Sequence, residues 1–391
     1  MIDKAIAKVR ARYDVLVVGG GIAGISAAVV AARNGASVLL IEKGINLGGL
    51  ATVGLISWYE PLCDGQGKQY IGGMAEELIR LATECGFDNL PSEWGGKSQN
   101  TPRNQRFSSF YSPTFFSMAL DKFLLDNGVK LLFDTLATYP IMNGTHCEGV
   151  IVENANGREI YEASVIIDAT GDASIMHRAG VPCTLGENFL TYIVHEFDQS
   201  SAEEYVASGD ISKFRRWKNC GSDYMGNGHP AGMKTFCGDS AEEITDFVIK
   251  GKLRMLERYE STDKDRREIM TLPTMPQFRT VRHINSQGAF CGKKQKMTDD
   301  FIGYVVDFRE AGRVYPFPFS CTYNPDFDNL LAAGRIVDVC DADAWEIERV
   351  IPVCAFTGEA VGIAAAYVSK YNCCIADVPA KYIRTMQKFP F

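Results

Sequence analysis

The stretch from Tyr13 to Glu42 constrains the fold of this chain more than any other. It reads Y-D-V-L-V-V-G-G-G-I-A-G-I-S-A-A-V-V-A-A-R-N-G-A-S-V-L-L-I-E. An apolar run ends at Val18 and is followed at once by Gly19-x-Gly21-x-x-Gly24. A small-residue helical segment then runs from Ile22 to about Arg33. A turn at Asn34-Gly35 leads into a second apolar run, Ser37 to Ile41, closed by Glu42. Strand, glycine turn, helix and strand within about 30 residues match one dinucleotide-binding βαβ unit. Gly19 permits the tight turn, Gly21 lets the backbone approach a pyrophosphate, and Gly24, with Ala27 and Ala28, lets helix and strand pack closely. The helix N-terminus offers free N–H groups and the positive end of its dipole to the phosphates. A carboxylate at Glu42 can accept hydrogen bonds from both ribose hydroxyls of an adenosine and would repel a 2′-phosphate, which argues against NADP. The motif alone leaves FAD and NAD open.

The chain has 391 residues, enough for two domains or for one with a large insertion. Its net charge of −8 argues against a nucleic-acid partner, which calls for a basic face. No apolar run stands out as a membrane span of roughly 18 residues, so no membrane partner is expected. Residues 1–12 are mixed in charge and do not read as a signal peptide. The 12 cysteines form no C-x-x-C and no His-spaced metal set, so neither a metal nor an iron–sulfur cluster is expected. Scattered thiols point to a reducing, cytoplasmic setting rather than to a disulfide framework.

Along the chain, a helix is expected from about Met74 to Cys85 and a long surface loop over 86–110. A second helix should start at Ser112-Pro113, with Ser as N-cap and Pro in the first turn. Asn143-Gly144 and Asn156-Gly157 are hairpin turns between short strands at 135–141, 147–153 and 158–162. The wholly apolar strand A-S-V-I-I-D-A-T-G-D at 163–172 suits the inside of a parallel sheet. From about 175 to 319 the character changes. His195 lies in an alternating strand, and a long helix over 241–259 runs into a charge-rich segment read as its solvated face. Arg279, Arg282 and His283 lie close together. At the C-terminal end, Asn329-L-L-A-A-G-R335 is a strand ending in Gly-Arg, and a small-residue helix follows Ile351-Pro352.

These blocks together resemble the FAD-dependent oxidoreductase family with a glutathione-reductase-type FAD fold. The resemblance rests on V-V-G-G-G-I-A-G with Glu42, G-G-L-A-T at 48–52, I-I-D-A-T-G-D at 166–172, L-L-A-A-G-R at 330–335, T-G-E-A-V-G-I-A-A-A at 357–366, and P-x-x-R-T-x-R at 276–282. It implies an α/β fold: a Rossmann-like, three-layer ββα FAD-binding domain (1–55, 105–174 and 320–391) with an inserted α+β substrate or cap region (56–104 and 175–319).

The resemblance places Gly19, Gly21, Ile22, Ala23 and Gly24 at the pyrophosphate and Glu42 with Lys43 at the adenosine ribose. Gly49, Leu50, Ala51 and Thr52 run beside the ribityl chain and flavin ring, and Leu136 offers backbone to adenine. Ala169 and Gly171 lie at the sheet end beside Asp172. Gly334 and Arg335 approach the pyrophosphate or ribityl chain, and Asp338 accepts a ribityl hydroxyl. A helix beginning near Gly358, with Ala360, points its N-terminus at the flavin N1–C2=O, where it would stabilise the negative charge left by hydride uptake. One departure stands out: Pro318-Phe319-Ser320 replaces the family's Pro, aromatic, Arg.

Only one GxGxxG is present, so a second nucleotide-binding unit is not expected. The main expectation is therefore a flavoenzyme moving a hydride between a small anionic or polyhydroxylated substrate and FAD N5. Arg279, Arg282 and Arg349 are candidates to hold an anion. His283 is the candidate general base, with His177 and His195 as rivals. The alternatives are a flavin-dependent biosynthetic or modification enzyme, thiazole-forming or tRNA-modifying, and an electron-transfer subunit that needs a partner. Homo-oligomerisation is compatible with the sequence.

Overall fold

The computed structural model describes residues 7–96, 104–223 and 225–387. Residues 1–6 and part of the expected 86–110 loop therefore lie outside the described residues.

The main sheet has seven strands. Lys130–Leu132, Val38–Ile41, Lys8–Val18 and Gly157–Asp168 run parallel in that order. His146–Asn154 and Leu136–Asn143 add an antiparallel wing, and Leu330–Ala332 pairs in parallel with the end of Gly157–Asp168. The sequence suggested two strands, at 158–162 and 163–172, but the structure has one, Gly157–Asp168. Its burial alternates to Ser164 and is then continuous from Val165 to Asp168. The first half pairs with the antiparallel wing; the second half lies between two parallel neighbours and is buried on both faces. That change of surroundings, not a chain break, produced the change in pattern.

The helix Ile22–Arg33 packs against the C-terminal helix Ile351–Tyr371. Both are small-residue helices buried along nearly their whole length. Glycine makes the contact possible. A Cβ at Gly358 would lie 2.2 Å from the Ala23 carbonyl oxygen, and one at Gly362 would lie 2.5 Å from that of Ala27. Ile351–Tyr371 corrects two expectations. It begins at Ile351, with Pro352 inside its first turn, where a missing N–H costs no helical bond. It also has the length and hydropathy of a membrane span, but 83% of that window is buried inside the protein. It is a core helix, apolar all round because it is covered all round.

Residues 186–281 form a smaller region with its own packing. Ile193–Asp198 pairs antiparallel with Arg216–Asn219 and Arg267–Thr271, and the helix Ala241–Glu260 covers them. Two small clusters hold it: Leu190, Phe236, Phe247, Phe278 and Val281, and Tyr192, Val194, Cys220, Met255 and Tyr259. The charged segment expected as a helix face is instead a 3-10 turn, Lys264–Arg266, opening the strand Arg267–Thr271. Asp263 caps that turn, accepting from the Asp265 N–H. The expected 86–110 surface loop is partly core: Phe107 is fully buried and stacks on Trp94 at 3.8 Å.

Candidate functional site

A large cavity, about 2080 Å³, opens along the carboxyl ends of the parallel strands. This is where open α/β sheets bind ligands. Its volume is about twice the upper end for a drug-sized ligand, enough for a dinucleotide and a second molecule.

One end is built by the glycine turn. Gly19 has φ +105°, and a Cβ there would lie 2.5 Å from the Ala169 oxygen; a Cβ at Gly24 would lie 1.9 Å from the Gly19 oxygen. Those two glycines serve the turn and its packing. Gly21 differs: a Cβ there would meet nothing within 4 Å, and the residue faces the cavity. It is also the N-cap of Ile22–Arg33, a helix start with no side-chain cap and no acidic residue in its first turn. The first N–H groups are thus left for an anion. Glu42 faces the same end. Its Oε2 accepts the Gly20 N–H at 2.7 Å and its Oε1 the Gly44 N–H at 2.7 Å, so each oxygen keeps a lone pair for a further donor.

The other end is built by residues 277–285, 333–354 and the aromatic wall. Val350, Ile351 and Cys354, from the first turn of Ile351–Tyr371, line it. Arg335 donates to the Phe278 and Arg279 carbonyls at 2.9 and 2.6 Å. Arg279 lies in the wall with no hydrogen-bond or ion-pair partner for its guanidinium among the described residues. Burial, and then neighbouring Arg349 and Arg335, push its pKa down to about 9, so it stays cationic at neutral pH. Arg349 is held by Glu346 at 2.5 Å and lies over the Trp345 ring.

His283 also lines the cavity, and the structure gives it a partner. Its Nδ1 lies 3.8 Å from Asp338 Oδ1 and 3.4 Å from the Ile284 carbonyl oxygen. Both neighbours are acceptors, so the proton belongs on Nδ1, leaving the Nε2 lone pair. Asp338 is fixed in turn by Ser286, whose N–H and Oγ–H donate to Oδ2 at 2.7 and 2.8 Å. Burial lowers the His283 pKa, and the Asp338 charge opposes that shift. Above the cavity stand Trp58, Phe110 and Trp217, with Trp58 and Phe110 centroids 4.4 Å apart.

A family model described as FAD dependent oxidoreductase matches residues 14–189 and 295–388. The chain belongs to the FAD-dependent oxidoreductase family. Its cofactor is FAD. A search of the curated proteins returns no match. Among solved structures, the chain is similar to a geranylgeranyl bacteriochlorophyll reductase-like protein from Thermoplasma acidophilum. That match has 15% identity and a TM-score of 0.50, covering 96% of this chain and 82% of the other. It is also similar to a flavoprotein/dehydrogenase from Cytophaga hutchinsonii, at 15% identity and TM-score 0.48, covering 92% and 79%. A myxobacterial chondrochloren halogenase aligns at 13% identity and TM-score 0.49, covering 96% and 78%. At 15% identity the likeness to the Thermoplasma acidophilum protein speaks for the fold alone.

The residues present fit FAD: an uncapped helix start, a glycine opening onto empty space, and a carboxylate at the ribose position. Of the expected FAD positions, Gly19, Gly21, Ile22, Ala23, Glu42 and Lys43 line one end of the cavity. Gly49, Leu50, Ala51, Ala169, Gly171, Gly334, Arg335 and Asp338 line the rest. Gly24, Thr52, Leu136, Gly358 and Ala360 lie outside this lining. Gly24 is buried at the helix–turn contact. Thr52 is buried, its hydroxyl on the Leu47 carbonyl at 2.5 Å. Leu136 is half exposed, and Asp134, two residues before it, lines the wall. Gly358 and Ala360 lie a turn or more inside the C-terminal helix, so Val350 and Ile351 present its N-terminus instead. Asp338, expected at a ribityl hydroxyl, faces His283 and Ser286.

Of the expected substrate residues, Arg279, His283 and Arg349 come together. Arg282 faces the other side of its short strand, toward Asp239, because neighbours in a strand alternate. His177 is exposed on the helix Ser174–Ala179. His195 is buried 3.5 Å from Ser57 Oγ; burial, and then Arg215, push its pKa down to about 3. It is a neutral core histidine. Cys354 lies in the wall, but burial pushes its thiol up to about 12, so it carries no thiolate. Sequence reasoning missed two roles. Asp168 caps Ser174–Ala179 by accepting the Ile175 and Met176 N–H groups, each at 2.9 Å. Trp217 joins the aromatic wall from a strand whose other residues are mostly polar.

Proposed function

We propose that this flavoprotein is a dehydrogenase or reductase that moves a hydride between FAD and a small anionic organic substrate. The observation that carries the reading is the Arg279 guanidinium, which has no hydrogen-bond or ion-pair partner among the described residues and lines the same cavity as His283, whose ring Asp338 orients. When bound, FAD supplies the two-electron hydride acceptor or donor. Arg279 holds the substrate carboxylate through paired N–H donors. His283 Nε2 takes the proton from the substrate's hydroxyl or amine, and returns it in the reverse direction. The N-terminus of Ile351–Tyr371 favours negative charge at its end of the cavity. Trp58, Phe110 and Trp217 exclude water and cover an apolar body.

An anionic substrate is favoured over a polyhydroxylated one. Among the cavity amides, Asn188, Asn219 and Gln277 already spend their hydrogen bonds on the protein's own backbone. A cavity larger than FAD favours an enzyme over an electron-transfer subunit. The reading takes 56–104 and 175–319 as the substrate region, a cytoplasmic setting in keeping with ten unpaired cysteines, and no nucleic-acid or membrane partner.

The test is anaerobic flavin bleaching across a panel of hydroxy and amino acids, beside uncharged analogues and nicotinamides. The wild type should bleach with one acid. Arg279→Met should raise its KM about 10- to 100-fold, since hydrogen bonds to a charged group contribute about 1.5–3 kcal/mol. Bleaching by nicotinamides alone, or an unchanged KM in the variant, would refute the reading.

A further inference from the structure

The cysteines were expected to be scattered thiols. The structure joins two of them: Cys291 and Cys340, 49 residues apart, are disulfide-bonded with Cα atoms 4.9 Å apart. Cys340 is exposed and lines the FAD cavity, two residues after Asp338. Cys291 is half-buried behind it.

The bond is not what holds these segments together. The Phe290 N–H donates to the Asp338 carbonyl at 3.0 Å, and the Cys340 N–H donates to the Phe290 carbonyl at 3.0 Å. Ser286 grips the Asp338 carboxylate from the same segment. Gly292 packs against Ala344 and Ile347, where a Cβ would come within 3.1 Å of Ile347. Lys294 pairs with Asp341 at 2.7 Å. The sulfurs therefore stay juxtaposed whether bonded or not, as suits a bond that opens and closes. The other ten cysteines are unpaired, the adjacent Cys373 and Cys374 included.

We propose that Cys291 and Cys340 form a redox-active pair at the cavity mouth, relaying an electron pair between FAD and an external disulfide. This goes beyond the substrate reading and rests only on FAD occupying the cavity. In the first step the Cys291–Cys340 S–S bond breaks and two S–H bonds form. Both electrons and both protons come from reduced FAD, which is left oxidised. In the second step the exposed Cys340, as thiolate, attacks one sulfur of an external disulfide, and one external thiol leaves. Cys291 then attacks Cys340 in the mixed disulfide, the internal bond re-forms, and the second external thiol leaves. The external disulfide is reduced by two electrons and the pair is restored.

The test is anaerobic dithionite titration of the FAD-loaded protein, with differential alkylation and mass spectrometry of Cys291 and Cys340 at each point. The pair is a two-electron couple, so the wild type should take up about four electrons per FAD. Cys340→Ser and Cys291→Ser should each take about two. Both cysteines should become alkylatable in the FAD-loaded wild type and stay protected in the apoprotein under the same dithionite. An uptake of about two electrons in the wild type overturns the proposal. So do cysteines that are free before reduction, or opening as fast in the apoprotein as in the loaded protein. Because dithionite supplies the electrons, the outcome does not depend on whether Arg279 binds an anion.

Discussion

Asp338→Asn isolates the electrostatics of the candidate base. The change keeps the side-chain shape, and an Asn oxygen can still accept from Ser286, so the charge is what is lost. His283 Nδ1 and Asp338 Oδ1 are 3.8 Å apart, with side chains 14% and 11% exposed. Two unit charges at that distance interact by about 1 kcal/mol in water-like surroundings and about 4 kcal/mol at the effective dielectric of a protein site. Burial lowers the His283 pKa and Asp338 raises it, so removing the charge leaves burial unopposed. The His283 midpoint should therefore fall in Asp338→Asn. The assay is an NMR titration of the five histidine rings in labelled protein, with His283 assigned from His283→Gln. It needs no substrate. A His283 midpoint that stays put or rises in Asp338→Asn would refute the dyad.

Three more outcomes follow from the glycine turn and from buried His195. Gly24→Ala places a methyl 1.9 Å from the Gly19 carbonyl oxygen, so overpacking should cost about 1–3 kcal/mol and lower the Tm of the apoprotein. Gly21→Ala meets nothing within 4 Å and should leave that Tm unchanged while weakening FAD binding about tenfold or more in a fluorescence titration; equal Tm losses in both variants would contradict the division of roles. His195 has a folded pKa of about 3 against an ordinary 6.5. Below pH 6.5 the unfolded chain therefore binds the extra proton, and stability falls as pH drops. Between pH 7 and pH 5 this amounts to about 2 kcal/mol. Urea unfolding of His195→Gln should show a correspondingly flatter pH dependence than the wild type, and parallel curves would reject a buried neutral histidine.

The FAD half of the molecule was legible because its signals are local. Gly19, Gly21 and Gly24 are set by backbone demands within a few residues, and strand, turn and helix follow in chain order. The apolar stretches at 13–18, 38–41 and 330–332 read as buried strands because parallel strands are covered on both faces. Where neighbours changed along one strand, as at Ala163, the sequence pattern looked like a break. The small-residue helix was expected to follow Ile351-Pro352, whereas it starts at Ile351 and holds Pro352 in its first turn. The sequence by itself determined the glycine turn, because it depends on contacts between residues close in the chain, and the ordered blocks from Gly19 to Ala366 pointed to the family and its FAD. Tertiary structure alone decided that Asp338 faces His283, that Arg279 finds no partner among the described residues while Arg349 is held by Glu346, that Trp58, Phe110 and Trp217 share a wall, and that Cys291 meets Cys340. Those meetings join segments separated by tens to hundreds of residues, and packing, not local propensity, fixes which side chains face one another.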